Sequence, residues 1–443
     1  MILILGFIPS SKLCEPAYLE FIQQYNKDFT LYRQNIFCNN YNKFLSINCS
    51  QCIITHIFDR DFSSLSNHIK LEKEFSQGFT CQNIYCYAEN ILPLFDLIPP
   101  TVDLREQGLM THSRDQQSCG GCWAFGISGL LENSLLHDQQ TINLEPLGGK
   151  QLFTSTQFLL SNIRGMNNYC SGGDAVAGFS YIQSNPIAIP TVEAESNYPY
   201  DYFAHQNEFN INNDLTTKLA KKDQILPFKI FPLSKQFQTM DISTTPVISL
   251  LTNSKFNASL VKSYLARGIA VVTTLHTTET STSSMMLASY DGKHVIKGIG
   301  CKSGKSNHQV IFIGYGKFKG INAWLVRNSW GTQWGNQGSF YIKEGDNDLC
   351  IESYAYAIIP KNYNMTDGVN NKTYENDFHI VRGKNGFDED NGHFIPISNL
   401  DVGSIIGSVV FIVILLGIVG FIIFKCIKGK KGRYQKINAN EYE

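Results

Sequence analysis

An uninterrupted apolar run near the C-terminus constrains this chain more than any other feature. The run extends from Gly403 to Phe424 and reads GSIIGSVVFIVILLGIVGFIIF. As a helix it would be roughly 33 Å long at 1.5 Å per residue, enough to cross the hydrocarbon core of a bilayer. A buried helix of a soluble domain is the alternative, but such helices rarely continue so far without a polar face. We therefore predict a transmembrane helix over residues 403–424.

The charges beside this run predict its orientation. Basic residues follow it closely, at Lys425, Lys428, Lys430, Lys431 and Arg433. Because cytoplasmic flanks are enriched in lysine and arginine, residues 425–443 are predicted to form a cytoplasmic tail, with all residues before Gly403 lumenal or extracellular. This is the topology of a single-pass type I membrane protein. Cys426 lies just inside the membrane, where it is either palmitoylated or an unmodified thiol.

The N-terminus is also apolar, from Met1 to Ile8, and a proline and two serines follow. We interpret residues 1–11 as a candidate signal peptide. Because they are short and lack a basic start, a truncated start and a plain N-terminal strand are the alternatives. Twelve cysteines exceed what a typical cytosolic enzyme carries and fit an oxidising compartment. Four glycosylation sequons fit the same compartment and begin at Asn48, Asn257, Asn364 and Asn371.

The composition indicates a globular chain without a strong overall charge. Hydrophobic residues make up 43% and charged residues 17%, which fits a substantial core and excludes a disordered chain. The formal net charge of -1 gives no general attraction to nucleic acid, so no nucleic-acid partner is predicted. At 443 residues the chain is expected to form two or three structural units.

The remaining stretches differ in pattern. Residues Ala17 to Leu45 have helical apolar spacing and predict two amphipathic helices. The residues of the predicted apolar faces are Leu19, Ile22, Tyr25 and Phe29, then Tyr32, Ile36, Tyr41 and Phe44. Ile98-Pro99-Pro100 marks a boundary, after which helical and strand patterns alternate to about Pro360. Residues 361–402 are polar and contain two sequons, so they are predicted to form a glycosylated stalk.

A cysteine-containing segment carries the strongest chemical signal. It runs from Asp115 to Phe125 and reads DQQSCGGCWAF, with an apolar helical stretch directly after it. The glycines let backbone approach a substrate carbonyl, and the start of a helix lowers the pKa of a thiol at Cys122. The alternative is that Cys119 and Cys122 form a redox or metal-binding pair. Because no second CxxC or histidine-rich set follows, no metal is predicted.

This segment resembles the active-site motif of papain-family cysteine peptidases of the cathepsin L-like type. Further segments resemble that family in the expected order, and together they cover roughly residues 98–360. They are Ile98 to Asp103, Cys170 to Gly173, Asn307-His308 with Val310 to Gly316, and Trp324 to Gly335. Several independent motifs in one order make the resemblance specific. It implies an α+β, papain-like two-domain fold, with a helical left domain and a β-barrel-like right domain, and a peptidase domain over residues 98–360.

The resemblance implies a role for each matched residue. Cys122 is the nucleophile, His308 its base, Asn328 the orienting amide and Gln116 an oxyanion donor, while Trp330 shields the His–Asn bond. Gly172 and Gly173 form the substrate-binding edge. The pocket for the substrate side chain one residue before the cleaved position is lined by Ala175, Thr273 and Ala355. Because none is acidic, an aliphatic or aromatic side chain is expected there over arginine. Tyr356 is the alternative to Ala355 in this pocket, and Asp174 at the rim is the residue that would most readily change the preference.

The family also implies an inhibitory propeptide, here residues 12–97. The spacing of its helical signature recurs at Arg33, Phe37, Asn40, Phe44 and Asn48, although Phe29 stands where a glutamate is usual. Two disulfides are implied, Cys119–Cys170 and Cys301–Cys350. Gln117 replaces a usual glycine beside the oxyanion glutamine. The six cysteines from Cys14 to Cys86 are not assigned to pairs by the resemblance.

The implied function is a cysteine endopeptidase, made as a zymogen, that cleaves peptide bonds through a thiolate–imidazolium pair and an acyl-enzyme. Its partners would be protein and peptide substrates and its own propeptide, and no cofactor is needed. A tail motif, Tyr434 with Ile437, resembles sorting-adaptor signals and predicts an endosomal, lysosomal or vacuolar membrane, with the cell surface as the alternative. A catalytically silent receptor or adhesin on a peptidase scaffold is the competing function.

Overall fold

The computed structural model describes residues 10–47, 49–62, 98–141, 153–184, 195, 199–203, 247–252, 255–277, 281–302, 306–358, 387–388 and 393–394. The chain divides into two compact units, residues 1–148 with 152–381, and residues 149–151 with 382–443. The helices are α1 (Ser10–Gln24), α2 (Leu31–Ser46), α3 (Cys122–Thr141), α4 (Thr156–Asn162), α5 (Ala175–Ser184), α6 (Ala258–Ala266) and α7 (Ser281–Ala288). Short 3₁₀ turns cover Tyr169–Ser171 and Asp348–Ser353.

The strands are short except near the centre of one sheet. They are β1 (Val102–Asp103), β2 (Val247–Ser249), β3 (Leu251–Thr252), β4 (Lys255–Phe256), β5 (Val271–Leu275), β6 (Val295–Ile296), β7 (His308–Phe318), β8 (Ile321–Arg327), β9 (Ser339–Lys343), β10 (Tyr356–Ile358), β11 (Phe387–Asp388) and β12 (His393–Phe394). The described part of the second unit is the antiparallel pair β11–β12, which lies within the predicted stalk.

Eight of the described strands form one sheet, in the order β2-β10-β5-β7-β8-β9-β6, with β1 on β7. All pairs in it are antiparallel except β6 with β9. The central strand β7 is buried on both faces apart from Lys317, which suits its run of β-branched and aromatic residues. Glycine is required at position 314 of β7, where β1 pairs with it, because a Cβ on Gly314 would overlap the Val102 carbonyl oxygen. The sheet thus holds the start of β7 rigidly.

The predicted pair of N-terminal helices is confirmed, and Ile22, Tyr25, Tyr41 and Phe44 of the predicted faces pack against its core, but the most deeply buried residues differ from the predicted ones. The structure buries Tyr18 and Phe21 of α1, whereas Leu19 is 49% exposed and Tyr32 of α2 is 74% exposed. An aromatic-rich helix fits two phases that differ by one residue, and the packing of α1 against α2 selects one. The local sequence pattern does not show which element packs against each helix, and that element decides which residues are buried.

The segment 49–62 connects these helices to the rest of the first unit. Ile53 N–H donates to the Ser289 carbonyl at 2.9 Å, and Thr55 Oγ1 donates to the Ala288 carbonyl at 2.7 Å. On its other side, Asn40 of α2 donates to the carbonyls of Phe58 and Arg60 at 2.8 and 3.0 Å. Two disulfides, Cys14–Cys38 and Cys49–Cys52, brace the helices and the start of this segment. The segment is therefore held from both sides.

A buried charge cluster lies between α3 and the sheet. Glu132 of α3 is fully buried, and its Oε1 accepts from Arg114 Nη2 at 2.8 Å and from the Thr154 N–H at 3.0 Å. Its Oε2 accepts from Thr111 Oγ1 at 2.5 Å and lies 3.8 Å from Arg327 Nη2. Because buried charges are tolerated only when paired, this cluster fixes the loop of Arg114 and the end of β8 to α3.

The predicted membrane span and tail lie outside the described residues. Asn48, Asn364, Asn371, Cys426, Tyr434 and Ile437 lie outside them as well. Among the helices that the structure describes, none combines the length and the apolar character that a bilayer crossing needs. Asn257, the one described sequon asparagine, is the N-cap of α6, where its side chain accepts the Leu260 N–H at 3.0 Å.

Candidate active site

Cys122 is the first residue of α3 and is fully buried, and it is the free thiol of the described part of the chain. The sulfur therefore lies at the positive end of a helix of 20 residues. The backbone N–H of Gln309, in β7, donates a hydrogen bond to it. This contact joins the start of α3 to the start of the strand that carries His308.

The Gly172-Gly173 edge lies beside the same helix start. The Cys119–Cys170 disulfide joins the loop before Cys122 to the turn before Gly172, and Gly120 N–H donates to the Cys170 carbonyl at 3.0 Å. A Cβ at Gly173 would overlap the indole ring of Trp123, so only glycine lets this edge approach so closely. The implied pairing Cys301–Cys350 is also formed.

His308, Asn328 and Trp330 form one cluster. His308 Nε2 lies 2.7 Å from Asn328 Oδ1, while His308 Nδ1 has no hydrogen-bond partner among the described residues. The Trp330 ring lies 5.3 Å from the imidazole ring and is only 2% exposed, so it shields the His–Asn bond from water. Because an amide oxygen can only accept, Nε2 carries the proton and the Nδ1 lone pair is available as a base.

Gln116 is fixed by its main chain and by its side chain. Its N–H donates to the Ser329 carbonyl at 2.8 Å, and its Oε1 accepts from Ser329 Oγ at 2.5 Å. Its Nε2 donates to the Cys119 carbonyl at 2.8 Å. Because Ser329 follows Asn328, these bonds bring the proposed oxyanion donor to the histidine cluster. All four residues predicted to act in catalysis therefore converge at one place.

Gln117 adopts a left-handed backbone, with φ of 53°, which explains why glycine suits this position. An L-residue in this region is strained by about 1 kcal/mol. The strain is offset locally, since the Gln117 N–H donates to Asp115 Oδ1 at 2.8 Å. Gln117 itself is exposed and does not close the site.

Burial keeps both reacting groups neutral in this arrangement. It raises the pKa of the Cys122 thiol to about 11, although the N–H groups of Gln309 and Trp123 oppose the rise. It lowers the pKa of His308 to about 4, with the bond that His308 donates to Asn328 opposing the fall. Because neither charge is stable alone, a thiolate and an imidazolium must form together as a coupled pair.

The residues predicted to line the substrate pocket are all inaccessible. Ala175, Thr273 and Ala355 are each 0% exposed, and Thr273 Oγ1 donates to the Ile351 carbonyl at 2.7 Å. Tyr356 is partly exposed and pairs in register with Val272 of β5.

Asp174 was predicted at the rim, but the structure buries it, with 1% of its surface exposed. It caps α5 by accepting the Ala177 N–H at 2.9 Å, and it accepts from Tyr354 Oη at 3.0 Å and from Gln309 Nε2 at 2.9 Å. Burial raises its pKa, and these donors oppose the rise. The sequence signal for this burial was the position of Asp174, after two glycines and directly before a helix, where aspartate commonly serves as a cap.

An ion pair that no sequence motif marks joins segment 49–62 to the active-site loop. Arg60 donates from Nη1 and Nη2 to the two oxygens of Asp115 at 2.7 and 2.6 Å, and His56 Nε2 lies 3.7 Å from Asp115 Oδ2. Burial alone would raise the pKa of Asp115, but the nearby imidazole of His56 and the bonds from Arg60 outweigh it and hold the pKa well below its usual range. Asp115 directly precedes Gln116.

Comparison with known proteins agrees with this geometry. A family model described as "Papain family cysteine protease" matches residues 98–359. Mouse cathepsin K is 28% identical over 254 residues, which are 57% of this chain and 62% of the relative, so less than two thirds of that protein is covered. A cysteine protease of Blomia tropicalis is 25% identical over 64% of this chain and 74% of its own length.

Solved structures share the fold at low sequence identity. The digestive procathepsin L 3 of Tenebrio molitor larval midgut superimposes with a TM-score of 0.54 at 19% identity, over 78% of this chain and 99% of that structure. The proform of Amb a 11, a ragweed pollen allergen, gives a TM-score of 0.54 at 21% identity, over 80% of this chain and 96% of its own. The fold is therefore papain-like, and both of these structures include the pro-region.

Proposed function

Because the chain belongs to the papain family of cysteine proteases, we propose that it is a membrane-anchored cysteine endopeptidase made as an inactive proform. The observation that carries the proposal is the 2.7 Å bond between His308 and Asn328 at the start of the strand whose next residue contacts Cys122. It supports a neutral imidazole that is correctly oriented to take the thiol proton.

The first half of the reaction forms an acyl-enzyme. The Cys122 proton moves to His308 Nδ1, and the thiolate attacks the carbonyl carbon of the peptide bond. Negative charge develops on the carbonyl oxygen, where the Gln116 amide and the Cys122 N–H stabilise it. The imidazolium then returns its proton to the departing amine, so that the C–N bond breaks and a thioester remains.

The second half regenerates the enzyme. Neutral His308 removes a proton from water, and the resulting hydroxide attacks the thioester carbon. The C–S bond breaks, and Cys122 recovers its proton from the imidazolium as the acid product leaves. Asn328 keeps the ring oriented in both halves, since its Oδ1 accepts only from a protonated Nε2.

An epoxysuccinyl peptide probe tests the proposal directly. Applied to the full-length chain after acid processing, it should form a covalent bond with Cys122, because this is the free thiol of the described residues and it contacts the strand that begins with His308. The Cys122→Ala variant is the control and should remain unlabelled. Absence of labelling in the wild-type chain would favour the silent receptor or adhesin instead.

Latency is supported by the contact between the pro-region and the active-site loop. The bidentate Arg60–Asp115 pair is largely shielded from solvent, since the Arg60 side chain is 14% exposed and that of Asp115 is 28% exposed. A charge-assisted pair of this geometry is stronger than a neutral hydrogen bond. We propose that residues 12–97 inhibit the peptidase domain, residues 98–360, and that this pair is one of the contacts that hold them in place.

The membrane anchor is proposed from the sequence alone. The apolar run 403–424 with its basic C-terminal flank supports one span, a lumenal peptidase domain and a cytoplasmic tail over residues 425–443. The segment 361–402, with sequons at Asn364 and Asn371, would connect the peptidase domain to the span as a glycosylated stalk. The basic tail keeps the Tyr434 motif close to the membrane surface.

We expect the Tyr434→Ala variant to move from internal acidic membranes to the cell surface. The reason is that adaptor binding needs both the tyrosine and the apolar residue Ile437, each in its own pocket. Quantitative surface biotinylation measures the change, and Tyr442→Ala, near the end of the same tail, is the matched control. An unchanged distribution of the Tyr434 variant would contradict sorting by this motif.

A further inference from the structure

Gln309, the residue after His308, lies between the nucleophile and the substrate-binding edge. Its N–H donates to the sulfur of Cys122, and its side chain points to the other side, toward the start of α5. Gly126, one turn along α3, also borders this space, because a Cβ at Gly126 would lie 3.8 Å from Gln309 Oε1 and 3.6 Å from Ala175 Cβ. Gln309 Oε1 thus lies against Ala175, one of the residues that the resemblance places in the substrate pocket.

The amide of Gln309 is held at both of its ends. Oε1 accepts the Ala175 N–H at 2.9 Å, and Nε2 donates to Asp174 Oδ2 at 2.9 Å. Tyr354 holds Asp174 in turn, through a hydroxyl that donates to the same carboxylate at 3.0 Å. Gln309 and Asp174 are each 1% exposed, and Tyr354 is 7% exposed. The amide is therefore part of a buried, well-ordered network.

We propose that Gln309 is a specificity-determining residue that fills the pocket for the substrate side chain one residue before the cleaved position. The pocket then admits only glycine, alanine or serine. This inference rests on the proposed function, because the pocket receives a substrate only if the chain cleaves peptides. It replaces the broader expectation of an aliphatic or aromatic side chain at this position. That expectation rested on Ala175, Thr273 and Ala355 and did not include Gln309.

Two features make displacement of Gln309 by a larger side chain unfavourable. Both hydrogen bonds of the amide would be lost in a buried site, and one of them goes to a carboxylate. A basic substrate side chain would likewise have to displace Gln309 before it could reach Asp174, which also accepts from Tyr354 and the Ala177 N–H. The network thus closes the pocket to large apolar residues and to arginine.

A positional peptide library on the processed enzyme released from the full-length chain tests the inference. The wild type should rank alanine, glycine and serine first at this position. Gln309→Ala should raise cleavage of leucine and valine relative to alanine by about 10-fold or more, because the vacated space receives the added methylene groups. Gln309→Leu is the matched comparison, since it keeps the bulk but loses both hydrogen bonds, so its ranking should shift in the same direction by less than that of Gln309→Ala.

The outcomes of this experiment distinguish failure of the pocket proposal from failure of the proposed peptidase function. A wild type that cleaves leucine, phenylalanine or arginine peptides best would overturn it while leaving the peptidase activity intact. An unchanged ranking in Gln309→Ala would overturn it as well. If that variant fails to fold, the wild-type ranking together with Gln309→Ser gives the decision. Only a chain that cleaves no peptide and resists the epoxysuccinyl probe would remove the proposed function itself.

Discussion

Replacing Cys122 with alanine should reduce kcat/KM for peptide hydrolysis by roughly 10⁴-fold or more. Without the sulfur there is no nucleophile, and water is a poor substitute at the same position. His308→Ala should cause a loss of similar size, because the thiol pKa of about 11 leaves almost no thiolate near neutral pH without a base. Hydrolysis of a fluorogenic peptide measures both effects.

A control variant and unfolding measurements distinguish the loss of catalysis from the loss of the folded structure. His294→Ala removes another partly buried histidine. The Nδ1 atom of His294 lies 2.6 Å from Asp291 Oδ1, and His294 has no role in the proposed reaction. This variant should keep nearly full activity. Urea unfolding midpoints of all three variants should stay close to that of the wild type. Substantial hydrolysis by pure Cys122→Ala would exclude the assignment of the nucleophile.

The full-length chain should be about 100-fold or more less active than the form cleaved near Leu97 to Thr101, because a tethered inhibitor acts at a high effective concentration. N-terminal sequencing of the active form locates the cleavage, and a start upstream of Tyr85 would contradict the boundary. Arg60→Ala should raise the activity of the uncleaved form by about 10-fold, since a bidentate charged bond is lost. Arg33→Ala, which loses only a 3.7 Å contact of an exposed side chain, is the control.

Acid should accelerate this activation through His56. Burial lowers the pKa of His56 below its usual value of 6.5. The docked segment thus binds the proton more weakly than the released segment, so docking is fully stable above about pH 6.5 and weakens as the pH falls below it. Asp115 does not contribute to this change, because its lowered pKa keeps it ionised through the same range. His56→Gln should flatten the pH dependence of processing.

The sequence predicted the parts of the site that short motifs mark. Cys122 is marked by the glycines and the helix after it, while His308 and Asn328 are marked by strands with clear β patterns, and the structure brings all three regions together. The two N-terminal helices were also predictable, since helical spacing is a local property. Their exact phase was not, because burial of Tyr18 in place of Leu19 depends on which helix packs against them.

The contacts that modulate the site could not be read from the sequence. Arg60 and Asp115 are 55 residues apart, and each looks like an ordinary surface charge until the fold pairs them. Gln309 likewise reads as a polar residue in a strand, and only the packing of the start of α5 against β7 places Asp174 against it. Pairings of this kind are set by long-range topology, which single-sequence patterns do not encode.

Asp115 has a consequence for how this protein can change by mutation. The same carboxylate binds Arg60 of the pro-region and supports the strained Gln117 backbone beside Gln116. A substitution of Asp115 that loosens the pro-region would therefore also disturb the loop that the released enzyme needs. Loss of Arg60, by contrast, breaks this pair on the side that is later discarded and leaves the Asp115–Gln117 contact in place. We expect lineages of this protein to vary at Arg60 more freely than at Asp115.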